Sequence, residues 1–379
     1  RPIIPPQAGA MPVEVMKVSK KLKAAKRPVL LVGGGGWTAR DRAALSQCAV
    51  RLNIPVITAF RYHDLFDNKL RLFLGEAGVG MSENTRLALS QSDLVLAINV
   101  RFGEMTTDAF TLFNEERDDQ WIVQTHRSGD EFNKYVSPDL SMICDPSALL
   151  NDLNDILTPS DLTIDSGWVL AARKGFEKSQ KAKTQPSPVD MGQITILVEK
   201  LLPLDAIVTN GAGNFAIWPN KFMQFSNEQR LLAPQSGAMG YGLPASIAAK
   251  IEYPERCVVC FSGDGDFQMN CQELGTALQS DARPIVLIVN NSTYGTIRMH
   301  QEKNYPSRIS GTDLVNPDFV ALGKAYGFYT ERIEKTEDFV AAFAHALASP
   351  TGAILDLNVA TEAITPSLTI DDLRRSKTL

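Results

Sequence analysis

Short apolar runs recur along the chain, and most of them end in glycine or asparagine. Residues 27–32, Arg27-Pro28-Val29-Leu30-Leu31-Val32, form one such run, closed by Gly33-Gly34-Gly35-Gly36. Runs at 54–58, 94–98 and 121–124 repeat the pattern. Between them, apolar residues fall at helical spacing over 13–25, 39–52 and around 84–90. Runs apolar on every residue fit parallel strands with helices on both faces. The alternation predicts a doubly wound α/β domain over residues 1–158, with the proline-rich stretch 1–12 as a linker. The four-glycine turn has two readings: a cradle for a nucleotide phosphate at a helix start, or a tight strand-to-helix turn. No G-x-G-x-x-G spacing with a following acidic ribose partner stands out, which favours the plain turn.

The pattern loosens over 159–188, where a charge-rich helix (169–183) ends in Thr184-Gln185-Pro186-Ser187-Pro188, and this reads as an interdomain connection. A second α/β domain is expected over 189–379. It has a helix at 193–202, a strand at 206–209, and strands at 258–261, 284–289, 328–330 and 353–357, with helices at 271–278, 317–325 and 337–348. Residues 360–379 read as a polar tail. The expected fold is α/β, two doubly wound domains with mostly parallel six-stranded-type sheets flanked by helices.

Candidate chemistry concentrates at strand ends of this second domain. Gly263-Asp264-Gly265-Asp266 follows one strand, and Asn290-Asn291-Ser292-Thr293-Tyr294-Gly295 follows the next, with Thr296 opening the helix beyond. In a βαβ unit both tips stand on the same edge of the sheet. A carboxylate, an amide oxygen and a backbone carbonyl suit a hard divalent cation. The glycines let backbone approach a phosphate closely, and helix starts favour negative charge. A third tip, Asn210-Gly211-Ala212-Gly213-Asn214-Phe215, belongs on the same edge. Residues 234–249 are dominated by small side chains around Met239, so another surface or a ligand must pack tightly there.

The span from Gly263 to Asn291 resembles the diphosphate-binding motif of thiamine-diphosphate enzymes, which opens with Gly-Asp-Gly and closes with Asn-Asn. Within that family the chain is similar to the acetolactate-synthase-like branch. The resemblance implies that Asp264, Asn291 and the carbonyl of Thr293 hold Mg²⁺ against thiamine diphosphate. It implies cofactor contacts from Gly211, Ala212, Gly213, Asn214, Phe215, Gly263, Gly265, Asp266, Tyr294, Gly295 and Thr296. It gives Met239 the role of an apolar wedge under the cofactor, and the carbonyl of Gly237 that of an acceptor for the aminopyrimidine. The first domain would be the family's middle domain, in which FAD is possible. The implied reaction is decarboxylation and carboligation of a small 2-oxo acid substrate. Gly265 and Tyr294 lean toward simple decarboxylases, and a non-catalytic scaffold is the reading from another class. The family's N-terminal pyrimidine-binding domain, with its glutamate, has no counterpart in this chain. The chain alone is therefore expected to be inactive or nearly so, with that domain as partner and a homodimer or tetramer as the assembly.

Composition narrows the rest. A net charge of −5 argues against a nucleic-acid surface. No apolar run approaches membrane-spanning length, and the start lacks a signal pattern. The five cysteines are scattered, which fits a reducing, cytoplasmic setting. Cys257 and Cys260 form C-x-x-C, but in a strand such residues point to opposite faces, so buried cysteines are expected rather than a zinc site.

Overall fold

The computed structural model describes residues 6–113, 119–226 and 228–375. Residues 1–5 of the expected linker and 376–379 of the expected tail lie outside the described residues. The chain folds into two compact units, Arg1–Gln180 with Phe225–Asn227, and Lys181–Gln224 with Glu228–Leu379.

The first unit holds one six-stranded parallel sheet. Its strands are β1 (Pro28–Val32), β2 (Val56–Ala59), β3 (Phe73–Ala77), β4 (Leu94–Ile98), β5 (Trp121–His126) and β6 (Leu140–Ile143), in the order β3-β2-β1-β4-β5-β6. Every residue of β1 is buried because alternate side chains feed two cores. Leu30 and Val32 enter one, and Val29 and Leu31 the other. Helix Ala39–Leu52 begins at a capping box in which Thr38 and Asp41 satisfy each other's exposed backbone N–H groups.

The four-glycine turn lies at the switch point between β1 and β4. Gly34 has φ +73°, and a Cβ there would sit 2.0 Å from the carbonyl oxygen of Asn99. The Asn99 amide donates to the carbonyls of Gly33 (3.2 Å) and Gly35 (3.0 Å), and the Arg127 guanidinium donates to that of Gly36 (2.5 Å). Arg127 also pairs with Asp41 and Asp145. Protein groups alone thus account for this turn, and these contacts supply no argument for FAD.

Helix Ser166–Ser179, expected to belong to a connection, packs within the first unit. The reason is Arg173, a buried residue whose guanidinium Nη1 donates to the carbonyls of Asn68, Leu70 and Phe73 at 2.9–3.0 Å. Phe176 of the same helix meets Phe73 edge-on at 5.2 Å.

The second unit holds a second six-stranded parallel sheet. Its strands are β7 (Ile207–Asn210), β8 (Arg230–Leu232), β9 (Val258–Gly263), β10 (Ile285–Asn290), β11 (Tyr329–Ile333) and β12 (Ala353–Asn358), in the order β11-β12-β10-β9-β7-β8. The chain runs outward from β7 to β8, then crosses to the other side of β7 to form β9. The crevice at such a reversal lies beyond the carboxyl ends of the strands. Three consecutive neighbours, β7, β9 and β10, end there. Cys260 is buried within β9, and burial pushes its thiol up to about 12 and that of Cys257 to about 11. Among the described residues no cluster of metal-type ligands includes them. No described helix is long and apolar enough to cross a membrane.

The expected polar tail is instead part of the core. Ile364, Ile370 and Leu373 are buried and pack with Met299 of helix Gly295–Asn304. Helix Ile370–Arg375 is pinned by Arg374, which donates to Glu302 at 2.6 and 3.0 Å. The apolar residues were spaced too widely among polar ones to signal this from sequence.

Replacing Arg173 with Met keeps the stem and removes the donors, leaving carbonyls unpaired. The expected loss is about 2–4 kcal/mol, read as a lowered urea midpoint. The Arg374 hydrogen bond holds Glu302 below its ordinary value of 4.5. A carboxylate depressed on folding stabilises fully above the unfolded value and loses that contribution as pH falls through the folded one. The stability gap between wild type and Arg374→Ala should therefore be constant above about pH 5 and shrink below 4.5. Urea titrations at several pH values measure it.

Candidate functional site

Strand register places the two motif tips side by side. Val289 pairs with Gly263, so Asn290 and Asp264 continue from adjacent positions. Asp264 is buried, and its carboxylate accepts from the Gly265 N–H (2.9 Å) and the Asn316 amide (2.7 Å). Burial raises the Asp264 carboxyl above its ordinary range, against the opposing pull of those donors.

The second tip is a tight Asx-type turn. The Asn291 side-chain oxygen accepts from the Thr293 N–H (3.3 Å), and Ser292 takes φ +53°. Segment 312–314 fastens it from outside. The Thr312 carbonyl accepts from the Tyr294 N–H and the Thr293 hydroxyl, each at 2.9 Å, and Leu314 N–H donates to the Ser292 carbonyl at 2.9 Å. Thr361, from the C-terminal segment, donates to the Asn291 carbonyl (2.9 Å).

Asp266 binds three tips together. Its carboxylate accepts from the N–H groups of Ala212 (3.2 Å) and Gly240 (2.9 Å) and from the Ser262 hydroxyl (2.5 Å). Gly211 must be glycine here, since a Cβ would lie 2.1 Å from an Asp266 carboxylate oxygen. Asp266 thus directs its oxygens at protein groups, and its contribution to the site is to hold loops. Gly240 is fixed from its other side by the Asn270 amide on its carbonyl (2.8 Å). Just before this anchor, Gln235–Ala238 are exposed and Met239 is half-buried, with Gly237 at φ +73°.

The remaining expected residues close around these anchors. The Phe215 ring covers Gly263, where a Cβ would meet it at 2.7 Å, and the Tyr294 ring covers Gly265 at 2.5 Å. The Thr296 hydroxyl accepts from the Asn214 N–H and donates to the Asn214 side-chain oxygen, both at 2.9 Å. The Asn214 amide donates to the Ile364 carbonyl (3.1 Å). One unit therefore gathers residues 211–215, 239–240, 263–266 and 291–296 from separate stretches of chain. Gly213 and Gly295 lie within these tips. Sequence reasoning missed Asn316, Ser262, Thr312 and Thr361. Asn316 stands just before Pro317-Asp318, where an asparagine reads as an ordinary turn residue ahead of a capped helix.

What the arrangement offers is oxygen: the Asp264 carboxylate, the Asn291 amide oxygen and the backbone carbonyl of Thr293 come from adjacent tips, without nitrogen or sulfur ligands among them. That donor set fits a hard divalent cation such as Mg²⁺.

Two family models match the chain. Residues 15–153 match the central domain of thiamine pyrophosphate enzymes, and residues 211–357 match their C-terminal TPP binding domain. Among curated relatives, the chain is 28% identical over 359 residues to an acetolactate synthase large subunit of Cyanidium caldarium, covering 92% of this chain and 60% of that protein. It is 30% identical over 344 residues to one of Parasynechococcus marenigrum, covering 89% and 55%. It is 28% identical over 342 residues to the isozyme 3 large subunit of Escherichia coli, covering 88% and 59%. The chain thus spans less than two thirds of the length of these relatives.

Gly211→Ala should destabilise the second unit by about 1–3 kcal/mol, because a Cβ against a buried carboxylate forces a loop to move. Gly35→Ala, in open space at an ordinary φ, should stay within about 0.5 kcal/mol. Thermal melts of both variants compare the two.

Proposed function

From the membership of this chain in the thiamine pyrophosphate enzyme family, we propose that it forms the cofactor-clamping part of a Mg²⁺- and thiamine-diphosphate-dependent enzyme that decarboxylates and ligates 2-oxo acids, in the manner of its acetolactate synthase relatives. The observation that carries the reading is the pair of neighbouring tips after β9 and β10, whose oxygen donors belong to residues 264, 291 and 293. In this reading Asp264, Asn291 and the Thr293 carbonyl hold the cation. The cation neutralises the diphosphate, which lies across the glycine-rich tips 211–215 and 263–265, where missing side chains let backbone come close. The N-terminal end of helix Gly295–Asn304 adds a favourable dipole for the anion.

Thiamine diphosphate, when bound, supplies a carbanion for attack on the 2-oxo carbonyl and an electron sink for loss of CO₂. This chain's residues bind and orient. Asp266 fixes Gly240, and with it the position of Met239, which is the apolar wedge of this reading. The exposed carbonyl of Gly237 is the acceptor that turns the aminopyrimidine. The exposure of residues 235–238 supports completion of the pocket by a further domain or a second chain, consistent with a homodimer or tetramer.

Asp264→Ala removes the only carboxylate of the proposed ligand set. It should weaken Mg²⁺-dependent binding of thiamine diphosphate at least about 100-fold, in line with loss of a metal ligand or its support, with far-ultraviolet circular dichroism unchanged. Titration calorimetry with and without Mg²⁺ tests this. Binding of unchanged strength and metal dependence would refute the assignment.

A further inference from the structure

For Asn291 and Thr293 to present oxygen to one cation, the peptide planes of the tip after β10 must be aimed, and the structure pins them separately. In a planar trans peptide the carbonyl and the N–H point in opposite directions. The Tyr294 N–H donates to the Thr312 carbonyl (2.9 Å), so the Thr293 carbonyl points away from segment 312–314. The Ser292 carbonyl accepts from the Leu314 N–H (2.9 Å), so the Thr293 N–H also points away from that segment, and it meets the Asn291 side-chain oxygen (3.3 Å). An antiparallel bridge between Thr293 and Asp313 marks this pairing. The Thr293 carbonyl and the Asn291 amide oxygen therefore share the side of the tip turned from 312–314.

The remaining plane, between Asn291 and Ser292, roots the Asn291 side chain. It leads into Ser292 at φ +53°, a conformation that a residue with a side chain keeps only where its surroundings hold it. The hold on this plane comes from Thr361, whose hydroxyl donates to the Asn291 carbonyl (2.9 Å). Sheet order brings Thr361 there. β10 lies between β9 and β12, and the Val359 N–H donates to the Asn290 carbonyl (2.9 Å), so the pairing of β12 with β10 runs up to the tip. Thr312 and Leu314 hold the tip through their backbone, whereas Thr361 does so through its side chain. We propose that Thr361 is a positioning residue for the cation ligands, aiming Asn291 through its peptide carbonyl. The proposal rests on the cation-clamping reading above. Coupling of this kind is reciprocal, so a cation and diphosphate bound at the tip also steady the segment that carries Thr361. The Ile370 N–H, which donates to the Glu362 carbonyl (3.3 Å), reports on that segment.

The test is calorimetric titration of thiamine diphosphate into the purified protein at graded Mg²⁺, for wild type, Thr361→Val, Thr361→Ala and Thr361→Ser. The half-saturating Mg²⁺ should rise about tenfold in the valine and alanine variants, the lower end of the range for residues that support metal ligands. Thr361→Ser keeps the hydroxyl and should stay within about threefold of wild type. Amide exchange at Ile370 gives a readout that a purely structural role would not move. Mg²⁺ with thiamine diphosphate should slow it in wild type and Thr361→Ser, and by about tenfold less in Thr361→Val. Circular dichroism identifies a variant that fails to fold. Valine keeps the volume and alanine leaves space, so a defect in one leaves the other to decide. If the valine and alanine variants keep the wild-type half-saturation, or serine weakens it as much as they do, the proposal falls. If wild type shows no Mg²⁺-dependent binding, the cation-clamping reading falls first and this one with it.

Discussion

The second unit depends on a buried carboxylate that finds its partners in backbone. Asp266 lies in the single helical turn Asp264–Phe267 just beyond β9, 2% exposed, and its oxygens accept from the N–H groups of Ala212 and Gly240 and the Ser262 hydroxyl. A desolvated charge is costly unless donors surround it. Here the donors belong to loops distant in sequence, so satisfying the charge and assembling the loops are one event. The arrangement also dictates composition. The backbone comes this near where side chains are absent or small, which is why Gly211 abuts the carboxylate and Ala212 and Gly240 donate to it. The same reasoning separates Asp266 from Asp264, two positions earlier. Asp264 also accepts internal hydrogen bonds, but it faces the tip after β10, where the other oxygen donors are.

This division was only half visible in the amino-acid sequence. The strands that are buried on both faces announce themselves as apolar runs: β1 and β4 throughout, β9 and β10 up to their polar ends, and β12 despite the buried Asp356 within it. β3 does not, because Gly75 and Glu76 interrupt it, and Glu76 is turned to the Arg61 N–H. β6 pairs with β5 alone at the edge of the sheet, is half exposed, and carries little apolar signal. The glycine-rich tips and the Asp264 and Asn291 pair were legible because close backbone approach and oxygen donors both leave a mark in residue type. Asn316 was not, since its role comes from a segment that doubles back beside the tip at 292–294. Nothing in an Asn-Pro-Asp turn reports what the asparagine reaches.

Asp266 is the instructive middle case. Its residue type and place in the motif pointed to the site, and it is there. What it touches could be learned only from the fold, because the N–H groups at 212 and 240 approach it through the crossover that puts β9 beside β7. The C-terminal segment teaches the same lesson from the apolar side. Ile370 and Leu373 share one face of a six-residue helix, too short to read as a stripe, and Ile364 lies outside it. They become a core only because Met299 lies opposite.

These contacts join the C-terminal segment to the tips. Asn214 donates its N–H to the Thr296 hydroxyl, accepts from that hydroxyl at its side-chain oxygen, and donates its amide to the Ile364 carbonyl. Thr361 holds the Asn291 carbonyl, and Arg374 holds Glu302 in helix Gly295–Asn304, whose first turn contains Thr296. Residues 361–374 therefore touch the tip after β7, the tip after β10 and the helix that follows the latter through separate hydrogen bonds. Each bond is worth only about 1 kcal/mol net, but they add to the anchors that Asp266 and segment 312–314 provide to the same loops. The precision of the oxygen donors at residues 264, 291 and 293 is thus a property of the whole ring of contacts, with Asp266 inside it and the C-terminal segment outside.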